Sequence, residues 1–598
     1  MRNSLHYILL LAIMLQDHID KIMNMFEEPA HQPVPLYEEF KQPIEYLSAD
    51  VYTLPNNVVA DLEIAPTNED TPTNMYHHLC NPQNEFMVEN IKKNGKYTTD
   101  VNYLENNQII IKNMEHFDNS LCDICCNHFL DVWNETKENS FFLEKYCYMD
   151  WNIFKHFNKS SFFLQIMSIL NISSPVIALL LPIIFLIIPF IILRLQGITM
   201  TFSNYVAVLQ NVSKHHFIGK IFNIRNMDFS SFIYFLLSLG LYGMQVYQNI
   251  NICMRFYNNI NVINTHLYNM KQYLNTTINT MEKFINMNQS LTTHNGFIND
   301  IDGHRRELHM LHSYLKSITP FKPSVFKITE VGYLLKVFYT IHDDAIFEKS
   351  IQYSAGFMGY IHNMKNIHSN VLNGHIQYAT FSNTQTKIKG QYYPPYVDSK
   401  HVKNDCSVKK MIITGPNASG KTTALKTTAL NIIFSQQYGV GFYTSCTLNP
   451  YDYIHSYLNI PDTSGRDSLF QAESRRCKEI IDVIECNKEK RHFTIFDELF
   501  SGTNPNEATK SAFAFLKYIS EFDNVDFILT THYTSICKKL GKMKKVQNYK
   551  MDVVFDENDK IKYSYKMVKG ISKVQGALLI LEDMNYPTEI LDSIKNYE

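Results

Sequence analysis

Apolar positions along the chain follow three different rhythms. From residue 255 to 375 they recur at helical spacing, with Leu267, Met270, Tyr273, Leu274 and Ile278 on one stripe and Leu308, Leu311, Leu315 and Ile318 on another; such stripes predict helices that bury one face. Thr319-Pro-Phe-Lys-Pro323 breaks the two helical blocks apart. Between Lys159 and Arg194 the rhythm vanishes, because no residue is charged and Ser174–Leu193 is almost continuously apolar. A bilayer-spanning helix needs about 20 such residues, and the prolines at 175, 182 and 189 are tolerated in lipid when neighbours satisfy the freed backbone. A second uncharged stretch covers Phe229–Met254. From about residue 405, short apolar runs alternate with helical segments, the signature of a buried parallel sheet.

These rhythms divide the chain into a mixed N-terminal domain (1–159), a transmembrane region (160–254, with spans at about 174–193 and 231–252), a helical domain (255–400) and an α/β domain (401–598). Met1–Leu15 is apolar but runs into Gln16-Asp17 without a small-residue cleavage site, which predicts a short helix rather than a signal peptide. If both apolar segments span, the loop at 194–228 lies opposite the flanking regions; its Arg194, Lys214, Lys220 and Arg225 against one Asp228 sit badly with the positive-inside tendency, a conflict that a hairpin dipping into one leaflet and returning to the same side removes.

Net charge is −3 over 598 residues, so no global basic bias points to nucleic acid, and any DNA contact needs a local patch. Arg305-Arg306, Lys322, Lys327 and Lys336 are the contributors to such a stripe on the helical region. The 11 cysteines have no regular spacing and form no disulfide framework, which agrees with a reducing compartment. Cys122, Cys125, Cys126 and His128 could be part of a zinc site, with Cys147 and His116 as loose further ligands; ordinary buried cysteines are the better expectation, since no second ligand pair is apparent.

The chemistry is concentrated near the C-terminus. Lys410–Thr414 is an apolar strand running into Gly415-Pro-Asn-Ala-Ser-Gly-Lys-Thr-Thr423, which fits the phosphate-loop pattern GxxxxGK[ST]. Its backbone N–H groups can wrap phosphates, Lys421 can neutralise them, and Thr422 can offer its hydroxyl to Mg²⁺. The loop therefore predicts contacts from Gly415, Pro416, Asn417, Ala418, Ser419, Gly420, Lys421, Thr422 and Thr423 to ATP. A second strand ends in Asp497-Glu498: Asp497 is the expected Mg²⁺ ligand and Glu498 the residue that activates water. A third, Val525–Thr531, ends beside His532, a candidate γ-phosphate sensor.

These motifs resemble the MutS branch of the ABC-type ATPases. The resemblance rests on Thr414–Thr423 with its Gly-Pro-Asn opening, Phe496–Pro505, Thr530-Thr-His-Tyr533 and Asp467–Glu473, and extends to Tyr563–Gly570 and Gly576–Ile580. It implies an ABC-type P-loop ATPase domain at the C-terminus, preceded by a helical lever-like domain, the transmembrane region and the mixed N-terminal domain. It also implies a homodimer with composite sites, in which Ser468 contacts the nucleotide of the opposite subunit and Gly502-Thr503 crosses the interface. By the same resemblance the chain would bind mismatched double-stranded DNA and serve mismatch repair. The departures are that a membrane segment replaces the family's N-terminal architecture, and that Phe26-Glu27-Glu28 has the spelling of the family's Phe-x-Glu wedge without its surroundings. The alternative is a membrane-anchored mechanochemical ATPase that ignores mismatches, its ATPase facing cytosol or nucleoplasm. A transporter subunit is disfavoured, since two apolar stretches are too few for a transport pathway.

Overall fold

The structure, a computed structural model, describes residues 36–65, 74–117, 123–198, 201–212, 229–322, 325–397, 399, 401–460, 468–543, 545–555, 561–574, 581, 584 and 586–595. Met1–Leu15, Phe26-Glu27-Glu28, Cys122, Lys214, Lys220, Arg225, Asp467 and Gly576–Ile580 lie outside them. The described residues form two compact units: those within 121–278 and 307–350 make the first, and those within 36–120, 279–306 and 351–598 the second.

The described part of the first unit is helical. Its longest elements are the Ser161–Leu195 helix and the portion of the Phe229–Asn288 helix that ends at Ile278. The stripe Leu267, Met270, Tyr273, Leu274 and Ile278 is buried, as are Leu308, Leu311, Leu315 and Ile318. Helix Val331–Asp343 packs on the first turns of the Ser161 helix through Gly332, where a Cβ would stand 2.3 Å from Ser161 O. A π-turn at Asn134–Glu138 carries Lys137, whose ammonium is buried against Glu348 at 2.6 Å and donates to His342 O at 2.7 Å.

The second unit is mixed α/β. Strands β1 (Val51–Thr53) and β2 (Lys96–Thr98) pair with each other. Strands β3 (Gln377–Phe381), β4 (Lys387–Gln391), β5 (Asn404–Ser407), β7 (Val440–Gly441) and β8 (Ser445–Leu448) form a five-stranded sheet. The main sheet runs β13-β12-β6-β11-β10-β9, with β6 (Lys410–Thr414), β9 (Tyr453–Tyr457), β10 (His492–Asp497), β11 (Val525–Thr531), β12 (Val546–Phe555) and β13 (Ile561–Lys569). All its neighbours are parallel except β12 and β13. Parallel strands covered on both faces read as unbroken apolar runs, and β6 is buried at every position. Its core includes Ile412, Phe496, Phe515, Phe527 and Leu529.

The expected serial arrangement is corrected here. Residues 36–117 do not form a separate N-terminal layer ahead of the C-terminal region; they are built into the same unit as β6–β13. The physical reason is long-range satisfaction of buried polar groups. Gln108 Nε2 donates to Ala379 O and Gly439 O, each at 2.8 Å, beyond the end of the Lys421–Tyr438 helix. Tyr76 OH donates to Gln437 Oε1 at 3.0 Å, Tyr97 OH to Asp452 O at 2.8 Å, and Ser456 Oγ to Asp61 Oδ2 at 2.6 Å. Helix Glu85–Lys92 meets helix Ala345–Leu372 at Gly359, where a Cβ would sit 2.1 Å from Phe86 O.

Candidate nucleotide site

Register alone brings the three motif-bearing strand ends together. Thr414 on β6 pairs with Thr531 on β11, and Thr530 pairs with Asp497 on β10. The phosphate loop, Asp497-Glu498 and His532 therefore emerge side by side at the carboxyl edge of the sheet, where open α/β sheets bind ligands.

The loop closes tightly on itself. Ala418 (φ 60°) and Gly420 (φ 89°) adopt left-handed backbone, and Gly420 precedes the Lys421–Tyr438 helix as its N-cap. A Cβ on Gly415 would lie 2.8 Å from Ser419 Oγ and 3.0 Å from Met551 Cβ, so glycine permits the approach. Lys421 Nζ donates to Gly415 O and Pro416 O at 3.1 Å each, which curls the side chain over the loop. Burial lowers its pKa from the ordinary lysine value, against the pull of Glu498 and Asp497.

Thr422 Oγ1 donates to Asp497 Oδ2 at 2.9 Å, and Thr530 Oγ1 donates to the other carboxylate oxygen. Glu498 has φ 50°, its N–H bonds Thr530 O at 3.1 Å, and its Oε1 lies 2.7 Å from His532 Nε2. The same nitrogen is 3.2 Å from Lys421 Nζ. One ring nitrogen cannot donate to Glu498 and accept from Lys421 at once. The shorter contact and the two carbonyls already holding Lys421 favour a protonated Nε2 donating to Glu498. That bond, ahead of burial, holds the Glu498 carboxyl below its ordinary pKa.

Beyond the acids the chain makes a strained turn, with Phe500 at φ 58°. Phe500 N–H donates to Tyr457 OH at 3.1 Å. Glu473, 2 % exposed on the Leu469–Cys486 helix, accepts from Ser501 N and Ser501 Oγ at 2.9 Å and from Gly502 N at 3.1 Å. Ser468 is the exposed N-cap of that helix, bonded to Gln471. It is not among the residues lining the cavity in front of the phosphate loop. Thr503 Oγ1 donates to Glu507 Oε2 at 3.0 Å.

That cavity, about 660 Å³, is bounded by the loop, Glu498, Met551 and an aromatic group that sequence reasoning missed. Tyr392 and His401 stack at 3.8 Å with an 11° interplanar angle, and Tyr393, Tyr396 and Tyr565 complete the wall. Asn404 fixes Tyr565 by donating to its carbonyl at 2.9 Å and accepting from Met567 N at 2.8 Å. An aromatic wall beside a phosphate-loop cradle suits a nucleotide: rings against the base, N–H groups and Lys421 against the phosphates. The Tyr-Tyr-Pro-Pro-Tyr run at 392–396 was the available signal.

Cys126 is buried and His128 exposed, and among the described residues no group of three or more metal-ligating side chains assembles. Arg305 and Arg306 both bind Asp302, at 2.8 and 2.7 Å, and Lys327 binds Glu330 at 3.0 Å.

Residues 411–598 match the family model MutS domain V. Among similar proteins, "DNA mismatch repair protein Msh3" of Dictyostelium discoideum is 31% identical over 221 residues, covering 34% of this chain and 15% of that protein. "DNA mismatch repair protein MutS" of Orientia tsutsugamushi (strain Ikeda) is 26% identical over 211 residues, covering 33% and 23%. "Endonuclease MutS2" of Fusobacterium nucleatum is 28% identical over 199 residues, covering 31% and 23%. The matched stretch thus spans less than a quarter of each relative's length. The expected fold class is corrected by this match: what lies at 411–598 is MutS domain V in a mixed α/β chain, and the match does not show an ABC-type ATPase domain there.

Proposed function

Because its C-terminal region places this chain in the MutS family, we propose that it binds ATP with Mg²⁺ at Gly415–Thr423 and hydrolyses it in a mismatch-repair-related role. The observation that carries the reading is the pairing of Thr422 with Asp497 at 2.9 Å and of Glu498 with His532 at 2.7 Å, with Thr422 and Glu498 lining the cavity. A hydroxyl and a carboxylate in contact beside a cradle that a Cβ would fill are the donors expected of a Mg²⁺ site. Thr422 and Asp497 would hold the ion, which when bound supplies charge neutralisation to the phosphates.

The protein's own groups divide the remaining work. Lys421 can swing from its two carbonyls to the β- and γ-phosphates, and the amides at the N-terminus of its helix add partial positive charge. Glu498, kept ionised by His532, orients a water and accepts its proton. His532 donates from Nε2, either to Glu498 or to a γ-phosphate oxygen. Ser468 stands exposed at a helix N-terminus away from its own chain's cavity, which supports a homodimer in which it faces the partner's nucleotide. Double-stranded DNA is the proposed macromolecular substrate.

Steady-state ATPase of the full chain tests this, with homoduplex and single-mismatch DNA as additions. Glu498→Gln should lower turnover by about 10²-fold or more while ATP binding persists. Equal turnover by wild type and Glu498→Gln would remove Glu498 from the mechanism. Turnover indifferent to the mismatch would leave the ATPase and discard the repair substrate.

A further inference from the structure

We propose that the first unit carries a membrane-spanning helix pair, formed by residues 169–193 of the Ser161–Leu195 helix and 229–254 of the Phe229–Asn288 helix, with the stretch between them on the opposite face of the bilayer. This stands independently of the ATP reading. Neither segment contains an Asp, Glu, Lys or Arg; Arg194 and Arg255 directly follow them, and Lys159 is the nearest charge before the first. At 1.5 Å per residue they are roughly 37 and 39 Å long, against about 30 Å for a hydrocarbon core and 40–45 Å with headgroups.

Exposure separates this pair from core helices. Val176 is 56 % exposed, Leu179 53 %, Leu237 59 % and Leu241 69 %, whereas Leu164 before the first segment and Phe256 after the second are 3 % and 4 % exposed. At 100° per residue the exposed large apolar positions of each helix sweep roughly 220° of its circumference, about twice the stripe a soluble partner covers. The remaining arc faces the other helix, where Ala178 and Phe235 are buried.

Two of the carbonyls freed by proline find side-chain donors within the pair. Proline at 175 cannot bond the carbonyl of Asn171, and Ser174 Oγ does so instead at 2.9 Å. Proline at 182 frees Ala178 O, and Tyr242 OH of the opposite helix shares its hydrogen between it, at 3.3 Å, and Leu179 O, at 3.2 Å. Ser173 Oγ and Asn249 Nδ2 likewise return to carbonyls of their own helices, at 2.6 and 2.8 Å. Exposed Trp151 and Phe154, with Lys155 and Lys159, lie just before the Ser161 helix, in the composition of an interfacial collar.

The test uses the full chain expressed in bacteria. Inverted membrane vesicles, floated and washed in alkaline carbonate, are treated with an impermeant maleimide on wild type and Gln196→Cys. The proposal expects the chain to float and resist carbonate, and exposed Cys486 to label at once. The thiol introduced by Gln196→Cys should label, above the wild-type signal, only after detergent. Equal labelling of that introduced thiol without detergent overturns the span. Recovery of the chain as a detergent-free soluble oligomer overturns lipid as the occupant and makes a second copy the cover.

Discussion

Glu473 is the acid whose removal most sharply separates positioning from packing. Its carboxylate accepts three hydrogen bonds from Ser501 and Gly502, at 2.9, 2.9 and 3.1 Å, in a site where it is 2 % exposed. Hydrogen bonds to an ionised acceptor contribute about 1.5–3 kcal/mol each. In Glu473→Gln one oxygen can still serve Ser501, but an NH₂ group then confronts Gly502 N–H, which costs about 1–3 kcal/mol. The turn so loosened begins at Glu498, already at φ 50°, and contains Phe500 at φ 58°. A 1 Å displacement of a catalytic group lowers a rate by about 10²-fold. Glu473→Gln should therefore lower kcat for ATP about 10- to 100-fold, with KM within about twofold because Lys421 and Thr422 are untouched. Steady-state kinetics read the split, and urea unfolding monitors the fold. A folded variant with kcat within about twofold of wild type would refute the idea that Glu473 sets the Glu498 turn.

Two further predictions concern stability. Lys137 and Glu348 are 2 % and 4 % exposed and 2.6 Å apart. Lys137→Met withdraws the cation from a buried carboxylate and should cost about 3–5 kcal/mol in denaturant unfolding, most of it recovered in Lys137→Met with Glu348→Leu; a double variant no more stable than the single one would contradict this. His455 is held down to about 3 by burial and by neighbouring His492. A histidine with a folded pKa below its unfolded value of about 6.5 takes up its proton on unfolding, so stability falls as pH drops from about 6.5 toward 3 and is flat above about 7. Its share is about 2 kcal/mol between pH 6.5 and 5, and His455→Gln should flatten that part of the urea stability curve; parallel curves would show that His455 does not titrate on unfolding.

The phosphate loop, Asp497-Glu498 and His532 were legible because each motif is local: a strand, its end and the next few residues fix the geometry, and parallel register joins them. The helical stripes and the uncharged segments were legible for the same reason, since periodicity and charge are properties of short windows. Glu473 was not. On the Leu469–Cys486 helix it resembles any acid, and its meaning comes from a turn 29 residues later. The interleaving of 36–117 with the C-terminal region was still further from view, resting on pairs such as Tyr76 with Gln437 and Gln108 with Gly439, 361 and 331 residues apart. No window contains both partners of such bonds. These distant bonds gather where the main helix ends: Gln108 reaches Gly439 O, and Gln437 Nε2 donates to Lys96 O at 3.0 Å. The Lys421–Tyr438 helix thus begins at the phosphate loop and ends against β2 and the helix carrying Gln108. A displacement of Lys421 along that helix must be accommodated by these buried polar contacts, because leaving them unpaired is costly. That makes residues 36–117 part of the frame behind the proposed nucleotide site, a placement their own sequence gives no sign of.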